Sequence, residues 1–160
     1  MQKKIGQALV VGAGISGIRS ALDLAETGYG VTLIDRAPGI GGVLTQLDHQ
    51  FPSNHCGMCR MLPLAQRDAG SQFCLRKGLF HENIEILTAT TLTAIEGEPG
   101  RFQVKLHHTP SWVDPQRCIG CGLCREVCPV DVPDAFNGGL SNRKAIYLPV
   151  PHQIPNPYVI

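Results

Sequence analysis

Four cysteines in one short run constrain this chain more than any other feature. They are Cys118, Cys121, Cys124 and Cys128, separated by two, two and three residues and followed at once by Pro129. This spacing, with its terminal proline, is the bacterial ferredoxin pattern for a 4Fe–4S cluster. A cubane presents its irons close together, so thiolates on one tight loop can each bind a different iron. The run therefore predicts a ferredoxin-like segment with these four thiols as ligands.

The residues between the thiols fit the same interpretation. Gly120 and Gly122 allow the loop to bend, because glycine tolerates positive φ, and Pro129 ends the turn without needing a backbone donor. The alternative is a structural zinc site, which also uses cysteines two residues apart. Zinc sites usually contain two such pairs with a longer spacer between them, so the compact run favours iron–sulfur.

Composition limits the compartment and the partners. The 160 residues are 43% hydrophobic with a net charge of +1, so there is no electrostatic case for nucleic acid or an anionic membrane surface. No apolar run approaches the roughly 18 residues of a membrane helix, and the N-terminus shows no signal-peptide core. The cysteines number seven. Their odd count and their clustering favour reduced, metal-bound thiols in a cytoplasm over a disulfide scaffold.

A complete βαβ nucleotide-binding fingerprint opens the chain. A short apolar strand over 7–11 leads into a glycine-rich turn, and a helical pattern over 18–27 leads to a second strand over 31–34. The turn consists of Gly12, Ala13, Gly14, Ile15, Ser16 and Gly17. The apolar face of the helix carries Ile18, Ala21, Leu22 and Ala25.

Each glycine of this turn has a different structural role, and Asp35 is the acidic residue of the predicted site. Gly12 makes the tight turn, Gly14 admits a pyrophosphate and Gly17 lets helix and strand pack closely. The helix N-terminus offers free N–H groups to the phosphates. Asp35, at the end of the second strand, is placed to accept hydrogen bonds from a ribose 2′-OH, which disfavours NADP.

The choice between FAD and NAD depends on the residues after Asp35. Arg36 follows directly, and Gly41 and Gly42 form a pair several residues later. This order resembles the two-dinucleotide-binding flavoprotein family, in which the glycine pair lies along the FAD. By that resemblance the cofactor is FAD, and these three residues join the predicted binding site.

The middle of the chain carries a second cysteine pair and then returns to a β pattern. Cys56 and Cys59 are two residues apart; they are either buried or redox-active thiols or iron ligands, and we favour iron ligation by at least one. Cys74 stands alone and is expected to be a small buried hydrophobe. Strand patterns follow at 84–87, 91–96 and 102–106, the last two around a turn cluster. A parallel strand followed by an antiparallel hairpin is predicted.

The order of these features resembles the A subunit of heterodisulfide reductase and its bacterial relatives in bifurcating complexes. The resemblance covers essentially the whole chain and is carried by the glycine fingerprint, the cysteine run, and the following segments. These are Gly41-Gly42, Gln46-Leu47-Asp48, Phe51-Pro52 before Cys56, Asn83-Ile84-Glu85, Glu96-Gly97-Glu98-Pro99-Gly100, Val132-Pro133, Arg143-Lys144-Ala145-Ile146-Tyr147 and Pro155-Asn156.

This resemblance implies an α/β fold with two parts. Residues 1–110 are expected to form the first half of a Rossmann-like FAD-binding domain of the thioredoxin-reductase type, and residues 111–160 an incomplete ferredoxin-like 4Fe–4S domain. The resemblance also implies that electrons pass between FAD and clusters and that the partners are other redox subunits: iron–sulfur subunits, a hydrogenase or formate dehydrogenase, and ferredoxin. In that family one of Cys56 and Cys59 is a cluster ligand near the flavin.

Two further expectations concern the ends of the chain. Relative to the family, the chain is expected to be shorter at both ends, and such a piece is expected to be inactive alone and to bind FAD weakly. Tyr158-Val159-Ile160 echoes Trp112-Val113-Asp114, which precedes the cysteine run. We therefore expect a second cysteine motif beyond Ile160. The first cluster then takes its fourth ligand from Cys128, from Cys56 or Cys59, or from a non-protein group, and we favour an unfilled or borrowed fourth position.

Two functions of different classes remain open from the sequence. The first is an oxidoreductase subunit in which FAD and 4Fe–4S clusters move electrons; no residue resembles a substrate acid, base or nucleophile, as expected where cofactors do the chemistry. The second is a non-catalytic nucleotide-binding assembly module with a structural metal knuckle. The compact cysteine run and its terminal proline favour the first.

Overall fold

The computed structural model of this chain describes residues 5–46, 81–149 and 157–160. Cys56, Cys59 and Cys74 lie outside the described residues, and their predicted roles stay predictions. The described residues form a nucleotide-binding part, up to the end of a β-hairpin, and a cysteine-containing part after it.

A parallel three-stranded sheet forms the base of the nucleotide-binding part. Its strands are β1 (Gln7–Val11), β2 (Gly30–Ile34) and β3 (Ile84–Leu87), with β2 in the middle. Strand β2 is buried at four of its five positions, as expected for a strand covered on both faces. The two predicted parallel strands and the third are confirmed.

One helix packs on this sheet and makes the core. Helix α1 (Ile15–Glu26) begins three residues before the predicted start, so the end of the glycine turn is itself the first helical turn. Its buried residues are the four predicted from the apolar pattern: Ile18, Ala21, Leu22 and Ala25. They meet Ala13, Val31, Leu33 and Ile40 in one cluster. Burial of each larger side chain contributes about 1.5–3 kcal/mol, so this contact holds the glycine turn in place.

A short helix and a hairpin complete the nucleotide-binding part. Helix α2 (Val43–Gln46) follows the glycine pair, and β4 (Thr90–Glu96) pairs antiparallel with β5 (Gln103–His108). The predicted hairpin is confirmed. Between β3 and β4, Ala89 has a φ of 50° and donates its N–H to the Ala37 carbonyl at 2.8 Å, which ties the hairpin to the turn after β2.

The cysteine-containing part consists of short elements. Helix α3 (Leu123–Glu126) lies inside the cysteine run, and β6 (Asp131–Pro133) pairs antiparallel with β7 (Asn142–Lys144) across a 3₁₀ turn at Ala135–Asn137. Tyr147 and Val159 exchange two backbone hydrogen bonds of 2.9 Å. The chain is thus α/β with a hairpin and a ferredoxin-like segment, as predicted.

Candidate cofactor sites

The glycine turn forms a cradle over the start of helix α1. Gly12 has a φ of 99°, which confirms the tight turn predicted there. A Cβ at Gly17 would collide with the carbonyl oxygen of Gly12, so helix and strand need this glycine to pack. A Cβ at Gly14 would meet nothing within 4 Å; the missing side chain leaves open space instead of relieving a clash.

The second glycine pair lies against the first turn. Gly41 donates its N–H to the Ala13 carbonyl at 2.7 Å, and a Cβ at Gly42 would lie 3.0 Å from the Gly14 Cα. Two segments almost thirty residues apart thus line one cavity of about 410 Å³. Its wall consists of Val11, Gly12, Gly14, Ile15, Ser16, Gly17, Gly41, Val43 and Leu44. Backbone without side chains, beside the positive end of an α-helix, suits a pyrophosphate.

Asp35 closes the other side of the turn. Its carboxylate accepts the Ala13 N–H at 2.6 Å and the Ala37 N–H at 2.7 Å, one on each oxygen. A carboxylate offers about four acceptor positions, so it can still accept from a ribose hydroxyl. Sequence reasoning missed the two backbone bonds, through which Asp35 also positions the phosphate turn.

A second cavity of about 440 Å³ lies beside Asp35. It shares Val11 and Gly12 with the first cavity and is otherwise lined by Ile34, Asp35, Arg36, Thr90, Thr91 and Leu92. Sequence reasoning missed the three residues of β4. The available signal was their position directly after β3, since parallel strands end at one edge of a sheet and ligands bind there. The two adjoining cavities fit a pyrophosphate and an adenosine.

The cysteine run is a loop bent by two glycines, as predicted. Gly120 and Gly122 have φ values of 70° and 85°. The thiol of Cys121 is exposed, and the other three are partly buried. Among the described residues, no group of three or more His, Cys, Asp or Glu side chains is arranged to hold a metal ion. The four thiols of the run are therefore not close enough together here to bind one metal ion.

Two thiols of the run have backbone partners from later in the chain. Cys118 Sγ accepts the N–H of Tyr158 at 3.4 Å, and a Cβ at Gly122 would lie 3.1 Å from the Tyr158 hydroxyl. Cys128 Sγ lies 3.6 Å from the Val130 carbonyl. Backbone hydrogen bonds at Ile146 and Val130 hold the pKa of Cys128 below its ordinary value, against an opposing effect of burial. This favours thiolate, the form that binds metal.

Two family models match the chain. Residues 10–60 match an NAD(P)-binding Rossmann-like domain, and residues 111–134 match a 4Fe-4S binding domain. The second match covers all four cysteines of the run. An iron–sulfur binding segment is therefore present, as predicted, and the Rossmann-like segment with its adjoining cavities fits FAD.

Curated relatives match nearly the whole chain. A protein of Archaeoglobus profundus described as like the A subunit of heterodisulfide reductase is 45% identical over 96% of this chain. The second iron–sulfur A subunit of the CoB–CoM heterodisulfide reductase of Methanopyrus kandleri is 42% identical over 96%. This chain is therefore similar, over nearly its whole length, to A subunits of heterodisulfide reductase. It spans only about a fifth of these relatives, 21% and 22% of their length.

Two more proteins are similar to this chain. The A subunit of the H₂/formate:CoB–CoM heterodisulfide, ferredoxin reductase of Methanococcus maripaludis is 41% identical over 95% of this chain and 22% of its own length. The solved L-proline dehydrogenase of P. horikoshii gives a TM-score of 0.42 at 17% identity, over 67% of this chain and 20% of its own. None of the described helices is long and apolar enough to cross a membrane.

Proposed function

We propose that this chain is the segment of an oxidoreductase subunit that places FAD beside a 4Fe–4S cluster, so that electrons pass between them. The observation that carries the proposal is the pair of adjoining cavities around Gly12, one walled by two glycine segments and the other by Asp35, on the chain that also bears the cysteine run. The flavin, when bound, exchanges two electrons with its donor and single electrons with clusters.

The residues of the chain have separate parts in this proposal. The backbone N–H groups at the start of helix α1 bind the pyrophosphate, and Gly41 lines the same cavity without a side chain. Asp35 orients the ribose, and Arg36 lines the cavity beside it. Cys118, Cys121 and Cys124 bind three irons. Cys128, or one of the pair Cys56 and Cys59, supplies the fourth position, or it stays open to another group.

The larger assembly belongs to the proposal too. Residues 1–110 form the flavin domain and residues 111–160 the ferredoxin-like one, in a cytoplasmic complex with other redox subunits. The Methanococcus maripaludis relative is named for H₂ or formate as well as heterodisulfide and ferredoxin. That name contains two electron acceptors, the heterodisulfide and ferredoxin, which supports flavin-based bifurcation. The partners in this proposal are a hydrogenase or formate dehydrogenase and ferredoxin.

The decisive experiment is anaerobic purification with assays for iron, sulfide and bound flavin. We expect about four irons and four sulfides per chain, from one cubane, broad absorbance near 400 nm, and flavin retained when FAD is supplied. A colourless protein with one zinc per chain would instead support the alternative, an assembly module with a structural metal knuckle.

A variant tests the flavin site separately. Gly14→Val puts a branched side chain into the open space of the phosphate cavity, so we expect at least a hundredfold weaker FAD binding with unchanged iron. Ser20→Val, on the same helix beyond the turn, is the control. Normal FAD binding by Gly14→Val would remove this turn from the site.

A further inference from the structure

A third and larger cavity lies between the two parts of the molecule. Its volume is about 610 Å³, within the range of ligand pockets in proteins. Gln46 of helix α2 contributes from the nucleotide-binding part. The other described residues of the wall belong to the cysteine-containing part: Arg125, Asp134, Ala135, Phe136, Arg143, Tyr147, Leu148 and Pro149.

Helix α2 connects this cavity to the phosphate cavity. Val43 and Leu44 line the phosphate cavity, whereas Gln46, at the other end of the same helix, lines the large one. A helix rises about 1.5 Å per residue, so Val43 and Gln46 are about 4.5 Å apart along its axis. A ligand bound at the phosphate cavity can therefore extend along this helix towards the large cavity.

Of the two arginines that line the large cavity, Arg143 has partners among the described residues and Arg125 has none for its guanidinium. Arg143 is 4.0 Å from Asp134, donates to the backbone carbonyls of Lys144 and Ala145, and stacks on Tyr147 with 3.4 Å to the ring centroid. The guanidinium of Arg125, in contrast, makes no hydrogen bond or ion pair with any residue in the described part of the chain. Arg125 lies between Cys124 and Cys128, so its charge lies within the cysteine run.

We infer that the large cavity receives the isoalloxazine ring of FAD and that Arg125 stabilises the ring when it is reduced. This inference rests on the proposed function, since it needs FAD at the glycine turn. Phe136, Leu148 and Pro149 offer apolar contact to a planar ring. A cation near the ring stabilises the negative charge of its reduced form, which is one way in which proteins tune a flavin. Arg125 thus acts as a tuning residue, contributed by the cluster-binding part.

Titration with three ligands distinguishes binding at the glycine turn from binding of the flavin ring. The ligands are ADP, oxidised FAD and FAD reduced with dithionite, each titrated anaerobically against the full chain. ADP reports the glycine turn alone, and the two FAD forms report the ring. For Arg125→Gln we expect reduced FAD to bind about tenfold more weakly, oxidised FAD about twofold more weakly, and ADP as in the unaltered chain.

Two further variants complete the experiment. Arg101→Gln removes a cation from the β4–β5 turn, away from the cavity, and should leave all three affinities unchanged. Phe136→Ala removes apolar contact and should weaken both forms of FAD alike but not ADP. Iron content, measured for every variant, shows that the cluster segment is intact.

The outcomes distinguish this inference from the proposed function. If reduced FAD binds Arg125→Gln as tightly as it binds the unaltered chain, the inference is wrong and the flavin site at the glycine turn stands. If Arg125→Gln weakens ADP equally, the residue acts through the fold and the inference is also wrong. If the unaltered chain binds neither ADP nor FAD, the proposed function fails and the inference with it.

Discussion

The two parts of this molecule are held together in different ways. In the nucleotide-binding part, helix α1 and the sheet share a core in which Ile18 and Leu33 are fully buried. In the cysteine-containing part, Ile119, Val127 and Leu140 are each more than 80% exposed. The first part is therefore stabilised by apolar burial before any cofactor binds. The second depends on short backbone contacts and on its metal, because binding energy at a metal site is also folding energy.

Removing the cluster should have the largest effect and should affect only one part. Cys118→Ser, Cys121→Ser and Cys124→Ser are each expected to lose most of the iron and to loosen the backbone around residues 114–147. Amide hydrogen exchange should quicken there and stay slow in α1 and β2. Cys74→Ala serves as the control and should keep its iron. Unchanged iron and sulfide in all three serine variants would contradict the ligand assignment.

A substitution in the nucleotide-binding part should lower stability because it disturbs packing. Gly17→Ala places a methyl group against the Gly12 carbonyl, and we expect a loss of about 2 kcal/mol in the free energy of unfolding, as for other overpacked positions. Urea denaturation followed by far-UV circular dichroism measures this. Gly14→Ala, whose Cβ has open space, should stay within about 0.5 kcal/mol. Equal losses in both variants would show that the carbonyl contact has no such effect.

A substitution of Asp35 shows how much its two backbone hydrogen bonds stabilise the nucleotide site in the absence of cofactor. Asp35→Asn keeps one acceptor oxygen and replaces the other with a donor, so one of the two backbone bonds is lost. Bonds of this kind contribute about 1.5–3 kcal/mol when charged; at this partly exposed site we expect a loss of about 1 kcal/mol. Urea denaturation without FAD gives the value. Asp23→Asn, in an exposed pair with Arg19, should lose less, and a larger loss there would count against a special role for Asp35.

The smallest effects are expected from two cross-strand ion pairs among the described residues, one in each part. Lys105 lies 2.8 Å from Glu96 on the hairpin, and Lys144 lies 3.1 Å from Asp131 between β6 and β7. Such exposed pairs contribute about 0–1 kcal/mol. Lys105→Gln and Lys144→Gln should each lower stability by no more than that in thermal denaturation at low salt. A loss well above this range for Lys144→Gln would mean that charge pairing, besides metal, holds the cysteine-containing part.

The nucleotide-binding part could be predicted because its signals are local. The buried face of α1, the turn at Gly12 and the close contact at Gly17 each follow from residue types a few positions apart, and the structure shows all three. Thr90 and Thr91 were missed because they reach the site through pairing between distant strands. The bonds from the Ala13 and Ala37 N–H groups to Asp35 were missed for a related reason, since they depend on how the turns meet.

The cysteine-containing part was predicted from the spacing of its four cysteines. That spacing predicts the structure of the run itself but not its contacts with the rest of the chain. The positive φ of Gly120 and Gly122 follows from the loop. The contact between Tyr158 and Cys118 spans 40 residues, and no local pattern indicates it. The same holds for Arg125, whose position beside the large cavity depends on how β7 and the 3₁₀ turn fold back. The assignments of Cys56 and Cys59 stay predictions.

The backbone bond from Tyr158 to Cys118 has a consequence for protein synthesis. When Cys128 emerges from the ribosome, every thiol of the run is outside, but Tyr158, which donates to Cys118, lies 30 positions behind it and is still inside the ribosome. A cluster inserted at that stage has one hydrogen bond fewer at its sulfur ligands and an uncovered Gly122. Insertion during translation and insertion into the finished chain are therefore chemically different events. Stalled nascent chains that hold Tyr158 inside the ribosome and chains that expose it should differ in how well they retain iron.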